Sequence, residues 1–92
     1  MGFIMVEDKN QSIRFKVLHE ADDITTIKDF HGLTLDIARI NQGSLIGVWL
    51  FLTNGDNSFA VRYGINTSTK LAEMLANDIV YEFNNQEDLE LN

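Results

Sequence analysis

The chain has 92 residues, 45% of them hydrophobic, with fourteen acids against seven bases for a net charge of -7. That size allows one domain with a single modest core, and the absence of cysteine excludes disulfides, thiolate nucleophiles and cysteine-held metal centres. A broad basic face for DNA or RNA is excluded by the charge, and no apolar run approaches the roughly 20 residues that span a bilayer.

In chain order, Phe3 to Glu7 reads as a short strand and Asp8 to Gln11 as a polar turn. Ser12 to Glu20 alternates, with Ile13, Phe15 and Val17 on one side and Arg14 and Lys16 on the other, the pattern of a half-buried strand. Residues 24–31 carry signals of a short helix: Asp22 or Asp23 as cap, Ile24, Ile27 and Phe30 at helical spacing, and Gly32 after its end. The β-branched Ile24-Thr25-Thr26-Ile27 run pulls the other way, toward a strand.

Leu33 to Ala38 alternates as a strand and leads into the Asn41–Ser44 turn. Leu45 to Thr53 is apolar on both faces, so it is expected at the centre of a sheet. Ser58 to Gly64 alternates again, and short turns between these strands imply an antiparallel meander. From Thr67 to Phe83 the period becomes helical, with Leu71, Ala72, Leu75, Ala76, Ile79, Val80 and Phe83 in one half of the wheel. Asn66, Thr67 or Ser68 is the candidate cap and Asn84-Asn85 the stop. The expected fold is two-layer α+β over residues 1–85: an antiparallel sheet of about five strands, one long C-terminal helix on a face, and the short helix at 24–31. Residues 86–92 are expected to form an acidic tail.

Chemistry-bearing motifs are scarce. Asn54-Gly55-Asp56-Asn57 has neither the spacing of a calcium loop nor the GK[ST] of a phosphate loop, whereas Asn-Gly between two strands signals a tight hairpin. His19 and His31 stand twelve apart without a metal-binding spacing. Asp22, Asp23, Asp29 and Asp36 are more simply a cap and solvated acids than a hydrolytic pair. No G-x-S-x-G elbow marks a nucleophile. The expectation is therefore a protein without catalytic residues, metal or cofactor.

Charge placement is more informative. Residues 1–70 hold eight acids and all seven bases, net -1; residues 71–92 hold Glu73, Asp78, Glu82, Glu87, Asp88 and Glu90 and no base, net -6. Asp78 and Glu82 are like charges four apart, an arrangement that weakens a helix, and Glu82 lies in the last turn of the expected helix, where the dipole also disfavours an acid. A negative ridge that costs local stability points to a basic partner. A sheet with one long helix also leaves one face, Trp49 and Phe51 or else Val48, Leu50 and Leu52, in need of cover, from segment 24–31 or from a second copy.

In size, acidity and lack of cysteine the chain resembles the small inhibitors of phages and mobile elements and toxin-immunity proteins, a likeness of composition alone. It implies a non-enzymatic protein-binding module, of anti-restriction, anti-CRISPR or immunity type, placed in the cytoplasm. Such a module would block the basic, nucleic-acid-binding surface of a target protein through those six acids, without binding nucleic acid or membrane itself. The alternative is a homodimeric structural or small-ligand-binding domain joined through strand 45–53 at Trp49 and Phe51.

Overall fold

The computed structural model describes the backbone of residues 7–55 and 57–91 and the side chains of residues 12–55 and 57–82. The order is α1 (Glu7–Glu20), β1 (Asp23–Phe30), β2 (Leu33–Ile40), β3 (Gly47–Asn54), β4 (Asn57–Tyr63) and α2 (Thr69–Leu91). The strands form one antiparallel meander in the order β1-β2-β3-β4. The α+β class and the antiparallel sheet are as expected. The described sheet has four strands rather than about five, and the expected strand at Phe3–Glu7 falls, except for Glu7, outside the described residues.

Two elements exchange type. Residues 8–20, read as a turn and a strand, lie in helix α1. Ile13 and Val17 are four apart, a spacing that fits a strand face and a helix face equally; Phe15 decides between them. A strand would place it with Ile13 and Val17, but it is 78% exposed while Val17 is fully buried. The face α1 turns inward is Ile13, Val17 and Leu18, with Ala21 just past its end, a helical recurrence. Conversely, segment 24–31 is not helical: Asp23–Phe30 is edge strand β1, so the stiff β-branched run outweighs the apolar spacing. Gly32 is left-handed as expected, but in a hairpin. His31 and Gly32 have φ of 55° and 81° between the paired Phe30 and Leu33, the signs a two-residue primed turn requires. One extra residue between Ile27 and Phe30 shifts the register, and Asp29 there also has positive φ, 59°.

The sheet has a helix on each face, making three layers where two were expected. On one face Leu35, Ile37, Val48, Leu50, Leu52 and Phe59 pack against Ala72, Ala76 and Val80 of α2. On the other, Ala38, Ile40, Trp49 and Phe51 pack against Val17 of α1. β3 is internal and buried on both faces; a fully buried Leu or Phe here stabilises the fold by about 1.5–3 kcal/mol. The β3–β4 ladder closes on the Asn54–Asn57 pair with Gly55 at φ 60°, so the polar knot is a hairpin bend; Asp56 is outside the described residues. Helix α2 continues past Asn84-Asn85 to Leu91, so those asparagines do not stop it and residues 86–91 extend the helix. Among the described residues no helix is long and apolar enough to cross a membrane.

Candidate protein-binding surface on helix α2

Helix α2 is held in place by three polar devices. Ser68 caps it: its Oγ accepts from the Leu71 N–H at 3.1 Å and its carbonyl from the Ala72 N–H at 2.9 Å. The Arg39 guanidinium forks onto the connection from β4, donating to the carbonyls of Ile65 and Thr67 at 2.9 Å each. Farther along, His31 Nε2 and Asn77 Oδ1 lie 2.6 Å apart, joining the β1–β2 turn to the helix. Ala72, Ala76 and Val80 recur every four residues on the inner side, and their small size lets the helix lie close on β2 and β3.

The outer side is not the uniformly polar surface that this inner packing would leave. At about 100° per residue, Tyr81, Met74, Asp78, Leu71 and Glu82 fall in that order within an arc of about 100°. Leu71 is 45% exposed, Met74 56% and Tyr81 66%. Asp78 and Glu82 are also exposed. Burial first, and the Asp78 carboxylate second, hold the Tyr63 phenol above its ordinary value of 10.0.

Of the six acids expected to form one ridge, Asp78 and Glu82 share this arc. Glu73 is half-buried and stands about 140° around the helix from Asp78, on the other flank. The side chains of Glu87, Asp88 and Glu90 lie outside the described ones, although their backbone belongs to α2. Because the helix runs to Leu91, the last-turn position falls to Asp88 and Glu90 rather than Glu82. Leu71, assigned from sequence to the core arc, belongs to the outer one. Met74 and Tyr81, which complete the outer arc, were not singled out; the signal that could have found them is their spacing of seven, two helical turns, opposite the alanines.

Trp49 and Phe51 have their cover within the chain, under α1. Their rings stack at 6.1 Å, the Trp49 indole N–H donates to the Leu45 carbonyl at 2.8 Å, and the Arg62 guanidinium lies 5.2 Å over the Trp49 ring. Arg62 is anchored in turn on the carbonyls of Ile46 and Ser44, at 2.9 Å and 3.0 Å. The argument for a second copy at strand 45–53 rested on missing cover, and no cover is missing there.

Sequence reasoning also passed over a buried polar cluster. Asp36, 3% exposed on β2, accepts from Arg14 Nη2 at 2.9 Å and from Thr26 Oγ1 at 2.7 Å, the one ion pair among the described residues. This fastens α1 to the sheet and leaves both Asp36 carboxylate oxygens hydrogen-bonded. Asp22, Asp23 and Asp29, weighed with it as acids, are exposed; Asp22 accepts from the Asn41 N–H at 2.8 Å. Among the described residues no group of three or more His, Cys, Asp or Glu could hold a metal ion. No protein-family model, curated protein or solved structure matches the chain.

Proposed function

We propose that the protein is a non-enzymatic acidic binding module of the small-inhibitor kind, whose helix α2 occupies the basic, nucleic-acid-binding surface of a target protein. One observation carries this reading: Asp78 and Glu82 stand exposed one turn apart on α2, on a helix with no base after Lys70. Neither has an ion-pair partner among the described residues, whose one ion pair is Arg14–Asp36. Two adjacent carboxylates repel each other and weaken their own helix, and a lysine- or arginine-rich surface relieves that repulsion on binding. Glu87 and Asp88 add charge of the same sign farther along α2.

The reading is tested by capture on the immobilised protein at low and high salt, identification of what is retained, and repetition with Asp78, Glu82, Glu87 and Asp88 changed together to Asn or Gln. The expected result is a basic protein released by salt and held at least about tenfold more weakly by the neutralised variant. A captured protein that binds both forms equally well overturns the reading.

A further inference from the structure

We infer that the outer side of α2 docks into an apolar groove bordered by lysine or arginine, with Met74 and Tyr81 as the side chains that enter the groove. This rests on the acidic-module reading above and specifies the partner for the same site. Isolated apolar residues on a surface are ordinary. Here three large ones share a single arc of one helix, on the side turned away from the core. Met74 and Tyr81 are seven residues apart, so they stand about 10.5 Å apart along the axis and within about 20° of one line. That is the spacing of anchors when an amphipathic helix lies in a groove.

The residue types fit the role. Tyrosine offers a large rigid ring with few torsions to freeze and is enriched among residues that dominate binding energy, and the unbranched thioether of methionine adapts to the walls it meets. Asp78 lies between the two anchors along the chain, and Glu82 lies at the far edge of the arc beside Leu71. A groove that took in only the apolar side chains would bury Asp78 without a partner, which is strongly unfavourable. A groove with a cationic rim gives it one. The same charges select among occupants. A second copy would offer Asp78 and Glu82 a single base on its own α2, Lys70, among acids of the same sign, and an anionic bilayer would repel them. A basic protein groove is the occupant that satisfies both the apolar and the charged part of the arc.

The test uses two synthetic peptides of identical lysine and leucine composition. In one the leucines form a single helical face flanked by lysines; in the other they are scrambled. Both are titrated into the full chain and into two variants, Met74→Ala/Tyr81→Ala and Asp78→Asn/Glu82→Gln, with thermal unfolding as a check on folding. The facial peptide is expected to bind about tenfold more tightly than the scrambled one. The Met74→Ala/Tyr81→Ala variant should abolish that preference, and Asp78→Asn/Glu82→Gln should weaken both peptides. Equal binding of the two peptides, or a preference that survives loss of Met74 and Tyr81, overturns the groove and leaves the acidic module standing. Binding of both peptides unchanged by Asp78→Asn/Glu82→Gln overturns the acidic module instead.

Discussion

The two helices cover opposite faces of one sheet by apolar packing, and only α1 adds a buried ion pair to it. Helix α2 lays Ala72, Ala76 and Val80 on the aliphatic side chains of β2 and β3, so its attachment is cumulative and non-directional. Helix α1 lays Val17, with Ile13 and Leu18 beside it, on Ala38, Ile40, Trp49 and Phe51, and adds a directional contact, Arg14 on Asp36, with Thr26 completing the carboxylate. Among the described residues Arg14 Nε is buried without a hydrogen-bond partner, so even this pair is not fully satisfied. A buried ion pair must repay the desolvation of both groups and adds little net stability, but it is unforgiving when halved. Both faces therefore draw stability from buried apolar area, and the face beneath α1 carries in addition one geometrically demanding contact.

Breaking that contact gives the largest expected effect. Asp36→Ala leaves the Arg14 guanidinium facing a sheet with no counter-charge; because the Arg14 side chain keeps 28% exposure, the expected loss is near the low end of the range for such changes, about 3 kcal/mol in urea unfolding. Replacing both partners, Arg14→Met with Asp36→Leu, should restore stability to within about 1 kcal/mol of the parent, since neither desolvation penalty remains. A double variant as unstable as the single one would mean that α1 is held by the pair itself. On the α2 face the corresponding change is Ala76→Leu, which puts a larger side chain where Ala76 is fully buried against the strands; overpacking there should cost about 1–3 kcal/mol. Phe15→Ala, on the exposed side of α1, should change stability by no more than about 0.5 kcal/mol by the same measurement, confirming that the helical rather than the alternating pattern sets the inward face.

The contrast also explains what could be read in advance. The inner arc of α2 and the alternation of β2 and β4 carry a single period each, β3 is a short apolar run on both faces, and those elements were legible. Segments 8–20 and 24–31 carry conflicting signals. Ile13 and Val17 suit a strand or a helix, and what decides is tertiary: Trp49 and Phe51 require cover, and α1 meets that requirement; Ile24 and Ile27 have helical spacing, and the β-branched run overrides it. The need for cover was visible in the sequence, but its source was sought in residues 24–31 or in a second copy. The Arg14–Asp36 pair joins residues 22 positions apart, a contact with no local signature. At the candidate site the acids were legible as a composition. Their grouping was not, because a helix of 23 residues distributes them around its axis and only some share a side. The apolar partners of that side, Met74 and Tyr81, interrupt no pattern and so drew no notice.

The smallest expected effect measures how closely α2 lies over the sheet edge. Tyr63 on β4 titrates above 10.0, chiefly because it is buried and secondarily because Asp78 is negative. Both causes oppose the phenolate in the folded chain. The folded value therefore exceeds the unfolded one, and the associated stability is present in full below about 10.0 and is lost as pH rises through the folded value. Tyr81→Phe leaves Tyr63 as the only tyrosine, so its phenolate absorbance can be followed alone. In that background Asp78→Asn should lower the Tyr63 midpoint only part of the way back, since the larger cause, burial, remains. An unmoved midpoint would mean that the Asp78 charge does not reach Tyr63, and a complete return would mean that its charge rather than burial dominates. A partial return shows the exposed Asp78 carboxylate acting on Tyr63 from the solvent side of α2. There its charge costs the fold little, in contrast to Asp36 on the opposite face, which the fold cannot lose cheaply, and so Asp78 remains available to a partner.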